Sequence, residues 1–233
     1  MAELESGELE LLGLLPAASN YTFLARLETG AGTGDEPALV VYKPQRGEAP
    51  LWDFPSGTLC RREVAAFLVS EAAGWCFVPP TVLRDGPLGP GAVQTFVPHD
   101  FNVTAFDLLP AEPERMQRIV LFDVAVNNAD RKAGHVFEDE SGTLWLVDHG
   151  ICFHEEPKLR TVLWDFAGCP IPPRERLPLD RLCRALDGDL SAALEPLLAP
   201  EEIGALRQRA QAICEAECFP EPGPGRAYPW PPI

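Results

Sequence analysis

The sequence predicts an α+β fold in which a small β-rich part precedes a larger helical part. Short strand-like runs with turn residues between them fill residues 9–97, interrupted by one prominent helical pattern at 58–73. From residue 114 onward the apolar spacing is mostly helical. The 233 residues, 46% of them hydrophobic, are enough to form a substantial core and are not the composition of a disordered chain.

In the first part, residues 9–28 are predicted to form a strand, a turn and a second strand. Residues 38–43 are a β-branched run that ends on a lysine, and a Pro/Gly-rich loop follows. Residues 58–73 have apolar positions at helical spacing, and Gly74 is placed to end that helix. Two further strand-like runs lie at 78–83 and 92–97.

The second part begins with a predicted connection at 101–113 and a helix at 114–127. Two strands around a turn at Ser141-Gly142 follow. The remaining predicted helical stretches are 158–169 and 176–218. The predicted organisation is therefore an amino-terminal lobe over 1–98, a carboxy-terminal lobe over 99–219 and an extended Pro/Gly-rich tail over 220–233.

The formal net charge of −16 bears on the partners that the protein can have. An acidic surface repels nucleic-acid phosphates and anionic lipid headgroups, so neither nucleic acid nor a stable membrane anchorage is predicted. One set of residues could form either a local basic patch or an ordinary solvated stretch, and the sequence favours neither: Lys158, Arg160, Arg174 and Arg176. No apolar run approaches the ~20 residues of a membrane span, and the acidic start is unlike a signal peptide. We therefore expect a cytoplasmic protein; its oligomeric state is left open.

Seven cysteines, an odd number, without a secretory signal predict free thiols. Cys214 and Cys218 are spaced so that they could share one face of a helix. No CxxC is present, and no nearby His or Cys pair completes a tetrahedral set, which argues against zinc.

Two aspartates, Asp130 and Asp148, follow apolar segments and lie 18 positions apart. Asp130 belongs to the polar loop NNADRK between an apolar helix and an apolar strand, where side chains can converge on a cleft. Asp148 ends the strand-like run LWLVDHG, and a carboxylate there is costly unless it is paired, hydrogen-bonded or bound to a cation. Each alone is also compatible with an ordinary solvated loop residue.

The first part offers partners for such carboxylates. Lys43 ends a strand, and Glu63 lies on the following helix, so the two can form an ion pair that directs the ammonium at phosphates. The turn that contains Ser19 and Asn20 can offer backbone N–H groups to phosphate oxygens, although it has no GxGxxG. A phosphate-facing turn, strand lysine, helix glutamate, loop aspartate and strand-end aspartate follow in the order found in protein-kinase-like phosphotransferases.

Four motifs carry a resemblance to a known branch of the kinase superfamily: VYKP, QTFVP, NNADRKAGHVF and LVDHGICF. They resemble the strand-lysine, hinge, catalytic-loop and Asp-x-Gly motifs of the PI3/PI4-kinase-like branch. Within it, the chain is similar to type II phosphatidylinositol 4-kinases and HipA-like kinases, and closest to a bacterial PI3/PI4-kinase-like family. Over residues 9–170 the resemblance implies a two-lobed protein-kinase-like fold with a small β-rich N-lobe and a helical C-lobe.

The resemblance also implies roles for individual residues and a cofactor. ATP and Mg²⁺ (or Mn²⁺) are the implied cofactors, and Asp148 is the implied metal ligand. Asp130 is the implied catalytic carboxylate, with Lys43 on the nucleotide phosphates and Glu63 orienting that lysine. The implied nucleotide-binding residues are Ser19 and Asn20 in the turn and Gln94, Phe96 and Val97 in the hinge.

One position departs from the pattern of this branch. An asparagine that ligates a second metal usually stands five residues after the catalytic aspartate, and this chain has His135 there. Imidazole suits transition metals better than Mg²⁺. His135 is therefore predicted to bind Mn²⁺, to contact phosphate, or to mark a catalytically weakened nucleotide-binding pseudokinase.

The predicted reaction is ATP-dependent phosphorylation of a hydroxyl on a protein or small molecule, with a lipid acceptor less favoured because of the net charge. Lys158 and Arg160 lie where kinases of this branch bind acceptors, and they are the predicted contacts for an acidic or phosphorylated acceptor. Transfer of AMP instead of phosphate is a weaker alternative.

Overall fold

The computed structural model describes residues 1–15, 20–28 and 38–233. A five-stranded antiparallel sheet in the order β1-β2-β3-β5-β4 forms the first part. A short helix, α1 (Ala2–Ser6), precedes it, and α2 (Leu59–Ala73) joins β3 to β4 and packs against β4 and β5. The strands are β1 (Glu8–Leu14), β2 (Phe23–Glu28), β3 (Ala38–Pro44), β4 (Thr81–Gly86) and β5 (Gly89–Thr95).

Alternation along the strands explains why this sheet forms. Leu27 on β2 and Val40 and Tyr42 on β3 are buried together, while their sequence neighbours are exposed or less buried. Val93 joins the same cluster from β5, where residues 91–94 are all buried. The two-residue period of β2 and β3 therefore gives this part of the sheet one apolar face.

Helix α2 is buried on most of its circumference, between the sheet and the helical part. Its apolar residues belong to the larger core cluster, and the charged side chains of Arg62 and Glu63 are buried as well. Gly74 ends the helix at φ 74°, a left-handed conformation that favours glycine, and its N–H donates to the carbonyls of Ser70 and Glu71. Helix α2 therefore ends at Gly74, as the sequence predicts.

The second part is helical around one small hairpin. Its helices pack into a core that also contacts α2. The elements are α3 (Ala105–Ala111), α4 (Pro113–Val126), the hairpin strands β6 (Val136–Glu138) and β7 (Leu144–Leu146), α5 (Arg176–Leu186), α6 (Asp189–Leu194) and α7 (Pro200–Glu215). The predicted α+β class, with an antiparallel β-rich lobe before a helical one, is confirmed.

Two local predictions in this part are wrong. Residues 101–113, predicted as a connection, contain α3, which starts at a capping box formed by Thr104 and Asp107. Residues 158–169, predicted as mostly helical, form only a 3₁₀ turn at Trp164–Phe166. The backbone N–H groups before that turn bond to distant parts of the chain, which removes them from any helical ladder.

The tail, residues 220–233, contains no helix or strand and lies against the helical part. The Ala227 carbonyl accepts hydrogen bonds from the Thr161 N–H (3.1 Å) and from Nε1 of Trp164 (2.9 Å). The Pro232 carbonyl accepts from the N–H of Ala133 (2.8 Å). The tail is thus anchored by backbone bonds close to the loop that carries Asp130.

Among the described residues, no helix combines the length and the apolar character that crossing a bilayer requires.

Candidate active site

The β6–β7 hairpin places Asp148 beside the loop that carries Asp130. Val136 pairs with Leu146, and the N–H of Val147 donates to the carbonyl of His135 (3.1 Å), so His135 and Asp148 lie next to each other just beyond the paired strands. Asp148 has φ 61°, in the left-handed region that aspartate tolerates better than most residues. This backbone conformation turns the chain away from the line of β7 at Asp148.

The end of β3 brings Lys43 to the same place. Gly91 on β5 lies opposite Pro44, and a Cβ at Gly91 would come within 2.6 Å of the Lys43 carbonyl oxygen, so glycine permits this close strand approach. The Lys43 ammonium forms an ion pair with Glu63 on α2 and lies 3.4 Å from Oδ1 of Asp148. Lys43 therefore joins β3, α2 and the end of the hairpin.

The charges at this junction support one another. Desolvation tends to lower the pKa of Lys43, but Glu63 and Asp148 outweigh it and the pKa is raised, so the ammonium stays charged. Desolvation tends to raise the pKa of Asp148, but Lys43 and then His135 outweigh it and hold the pKa of that carboxyl well below its usual range. Asp148 is thus a carboxylate at neutral pH, and its side chain is 53% exposed towards the cleft.

Asp130 lines the same cleft as Lys43, Glu63 and Asp148. Its Oδ2 lies 3.4 Å from Nζ of Lys132, and the side chain is partly buried. Burial raises the pKa of the Asp130 carboxyl, only partly opposed by Lys132, and the Asp148 charge raises it further. A carboxylate with a raised pKa is a better proton acceptor than a free one, which suits a general base.

A buried ion pair fixes the backbone between the two aspartates. Nε and one terminal nitrogen of Arg131 donate to the Asp123 carboxylate on α4 at 2.9–3.1 Å, and both side chains are fully buried. Arg131 also donates to the carbonyl of Val147 (3.0 Å) and to Nε2 of His149 (2.8 Å). It therefore connects the Asp130 loop, α4 and both neighbours of Asp148.

Sequence reasoning did not single out Arg131, Asp123 or His149. The available signal was Asp123 itself, an acidic residue within the apolar run IVLFDVAV of a predicted helix. A carboxylate in such a run needs a partner when the helix is buried, and the nearby arginine of NNADRK provides it.

His135 faces Asp148, with its Nε2 at 3.4 Å from Oδ2 of the carboxylate. Burial lowers the pKa of His135 to about 4, although Asp148 works in the opposite direction, so the ring is neutral at pH 7. A neutral imidazole beside a carboxylate can ligate a cation or donate a hydrogen bond to that carboxylate.

The donor set at this cleft fits a cation that is shared with phosphates. No group of three or more His, Cys, Asp or Glu side chains within the described ranges makes a complete protein metal cage. Mg²⁺ in nucleotide sites is commonly held by one or two carboxylates together with phosphate oxygens and water, and Asp148 is an ionised, open carboxylate of that kind. His135 is the adjacent second donor.

The predicted nucleotide-binding residues are only partly together. Asn20 lines the cleft, and its Oδ1 accepts from the N–H of Ala49 (2.7 Å), whereas Ser19 lies outside the described residues. Gln94 is buried and its amide donates to Oγ1 of Thr81 (2.8 Å), so its side chain serves the sheet. Phe96 and Val97 follow β5 and, like Gln94, are not among the residues that line the cleft. Their contact with adenine stays a prediction.

The candidate basic patch is largely paired within the protein. Nζ of Lys158 lies 3.0 Å from Oδ2 of Asp53, and both side chains are mostly buried. Arg174 pairs with Glu114 (2.9 Å). Arg176 donates to the main-chain carbonyls of Cys214 and Ala216 at the end of α7. The predicted acceptor contact through Lys158 would therefore require an existing ion pair to open.

Buried histidines give a stability prediction. Burial holds the pKa of His149 well below 6.5, so below pH 6.5 the unfolded chain binds a proton that the folded one does not. The free energy of unfolding therefore falls as pH falls from 6.5 to 5, by about 1.4 kcal/mol per pH unit for this residue. Urea unfolding at several pH values gives the free energy of unfolding as a function of pH. The slope of that free energy against pH should be smaller by this amount in His149→Gln. Equal slopes in both proteins would refute the assignment.

The chain is similar in sequence to several known proteins. No family model matches the chain. Protein Rv2133c of Mycobacterium tuberculosis is 40% identical, over 99% of this chain and 94% of its own length. Phosphatidylinositol 4-kinase gamma 4 of Arabidopsis thaliana is 31% identical over 44% of this chain, and phosphatidylinositol 4-kinase gamma 1 of the same plant is 28% identical over 70%. These matches span 23% and 36% of the plant proteins.

The crystal structure of the Helicobacter pylori proinflammatory kinase CtkA superposes on 93% of this chain and 94% of its own, with a TM-score of 0.57 and 10% sequence identity. At that identity the likeness concerns the fold alone. The chain therefore has a kinase-like fold, and its sequence is distantly related to plant kinases.

Proposed function

Because the chain belongs to the family of the Mycobacterium tuberculosis protein Rv2133c and has a kinase-like fold, we propose that it is an ATP-dependent phosphotransferase acting on a hydroxyl group. The observation that carries the proposal is the convergence of Lys43, Glu63, Asp130 and Asp148 on one cleft. These four residues come from β3, α2, the loop after α4 and the end of the hairpin, and the fold is what assembles them.

Each residue has a role that follows from its surroundings. Lys43 is a charged ammonium held between two carboxylates, which fixes its position for contact with nucleotide phosphates. Asp130 accepts the proton of the acceptor hydroxyl as the acceptor oxygen bonds to the γ-phosphorus and the bond to the leaving ADP oxygen breaks. Asp148, with His135 beside it, would hold Mg²⁺ or Mn²⁺, which when bound neutralises charge on the phosphates. Holding these groups in place supplies much of the rate enhancement over the uncatalysed reaction.

The acceptor class rests on the net charge of the chain. A chain of net charge −16 is unfavourable for docking on anionic lipid, which supports a protein or small-molecule hydroxyl over a lipid. The plant relatives are phosphatidylinositol 4-kinases by name, so phosphatidylinositol is the alternative acceptor.

A nucleotide-binding pseudokinase is the second candidate function. It is favoured by His135, which replaces the usual asparagine and lies against Asp148. In that case nucleotide would bind without turnover.

Nucleotide binding through Lys43 is testable by thermal shift. ATP with Mg²⁺ at about a hundred times its Kd should stabilise the fold by about 2.7 kcal/mol, a rise in Tm on the order of 5–10 °C. Lys43→Met should remove most of this rise because it removes the ammonium from the phosphates. Lys158→Met is the matched control, since Lys158 is also paired with a carboxylate but lies outside the lining of the cleft. No rise in the wild type, or an equal rise in Lys43→Met, would refute the site.

A further inference from the structure

Two cysteine sulfurs touch in the helical part, far from each other in sequence. Sγ of Cys183 on α5 and Sγ of Cys214 on α7 are 3.0 Å apart, and both residues are half-buried. A disulfide bond is about 2.05 Å long, so the two sulfurs are within about 1 Å of bonding distance. The sequence predicted free thiols and placed Cys214 and Cys218, not Cys183, on one face of a helix.

Helix α7 ends at Glu215, before Cys218. Beyond it the chain turns to pair with the segment at Pro170, and Cys218 is exposed there. Cys214 instead faces α5, to which α7 packs along its length.

The approach of the two sulfurs is held by contacts that do not involve them. The guanidinium of Arg176, at the start of α5, donates to the carbonyls of Cys214 and Ala216 at 2.7 Å each. Leu182 on α5 and Ile213 on α7, the residues that precede the two cysteines, are buried in the same core. The thiols therefore meet because the two helices are already fixed, and little movement is needed to join them.

We propose that Cys183 and Cys214 form a site of reversible disulfide formation when the protein meets a peroxide-class oxidant. In the first step one of the two sulfurs attacks the peroxide, the O–O bond breaks, and a sulfenic acid and one water are formed. In the second step the other sulfur displaces the hydroxyl of the sulfenic acid, which leaves as a second water. Two thiols are oxidised, one hydrogen peroxide is reduced, and a dithiol reverses the reaction. The proposal does not depend on the proposed phosphotransfer.

The surroundings of the pair limit how fast it reacts. Burial, together with the Cys183 thiol, raises the pKa of Cys214 to about 12, so the reaction of Cys214 as a thiolate is slow at neutral pH. Both cysteine residues are only half-buried, which leaves access for a small oxidant.

The disulfide would cross-link α5 to α7, which are separated along the chain by α6. Helix α7 also contacts the segment before the candidate active site, because Nε of Arg209 donates to the carbonyl of Ala125 (3.0 Å) near the end of α4. A terminal nitrogen of Arg209 donates to the carbonyl of His154 (3.2 Å). Oxidation is therefore expected to stabilise the helices that support the Asp130 loop. By loop-closure entropy the expected rise in Tm is on the order of 5–10 °C.

The test uses the full chain treated with hydrogen peroxide, then alkylated and digested without reduction. We expect a linked peptide pair containing Cys183 and Cys214, two fewer free thiols among the seven, and a rise in Tm that dithiothreitol reverses. Cys214→Ser should lose the linked pair and the rise, whereas Cys218→Ser, which changes the neighbouring exposed cysteine, should keep both.

Mass spectrometry keeps the test valid even if a variant is less stable, because the wild type alone reports which cysteines are joined. The proposal is overturned if the wild type yields no Cys183–Cys214 peptide, or if its oxidised product joins Cys214 to Cys218. Loss of the linked pair in Cys218→Ser would overturn it as well.

Discussion

Replacing Arg131 with alanine is expected to lower the free energy of unfolding by about 3–5 kcal/mol, the typical cost of removing one partner from a buried ion pair. The reason is that Asp123 is fully buried and would lose the guanidinium that now binds it. The change also removes donors from the carbonyl of Val147 and from His149, so the segment around Asp148 loses its connection to α4. Urea unfolding followed by circular dichroism measures the change.

The control for this prediction is Arg26→Ala. Arg26 pairs with Glu10 across two strands, and both side chains are substantially exposed, so the expected loss is about 0.2–1 kcal/mol. Arg131→Lys should fall between the two, because it keeps the charge but loses the planar pair of donors. If Arg131→Ala costs no more than Arg26→Ala, the Asp123–Arg131 pair is not the anchor of the loop.

Sequence patterns predicted the parts of the fold that obey a single local period. The alternation in β2 and β3 and the helical spacing of α2 and α4 reflect what each element buries, and these elements lie where the patterns predict them. Strand β5 differs, because four consecutive residues are buried and the strand begins three residues before its predicted start. The order of the motifs around Lys43, Glu63, Asp130 and Asp148 could be read as well, because each motif lies at the end of an element or on a regular helix.

Contacts between distant segments could not be read in this way. Residues 158–169 have apolar residues at helical spacing, but the N–H of Arg160 donates to Asn128, that of Thr161 to Ala227 in the tail and that of Val162 to Arg131. Those bonds depend on the tertiary fold and replace the helical ones. The pairing of Lys158 with Asp53 and the meeting of the two cysteines of α5 and α7 are invisible for the same reason.

The missed helix α3 is different, because its signal was present. Thr104 is followed three residues later by Asp107, the spacing of a capping box, and the side chain of Asp107 accepts from the Thr104 N–H at 2.9 Å. Pro110 inside the helix and its short length masked the pattern.

Asp130→Asn is expected to lower the rate of phosphotransfer by a factor of about 10²–10⁴, the usual contribution of a general base. The amide keeps the size and the hydrogen-bonding geometry of the side chain, but it cannot take a proton from the acceptor. Asp148→Asn is expected to cost at least as much, because Lys43 loses one of its two carboxylates and a cation loses its ionised ligand. Asp85→Asn, at an exposed carboxylate near the end of β4, should leave the rate unchanged.

The most direct test of the central claim is transfer of label from γ-labelled ATP by the full chain with Mg²⁺ or Mn²⁺. The acceptors are a protein mixture, a set of small alcohols, phosphatidylinositol vesicles and the chain itself. We expect γ-label transfer by the wild type and by Asp85→Asn to an acceptor other than the vesicles, and we expect its loss in both Asp130→Asn and Asp148→Asn. Transfer that survives both replacements, incorporation of α-label in place of γ-label, or no turnover by a wild type that binds ATP would contradict the assignment of this cleft as a phosphotransfer site.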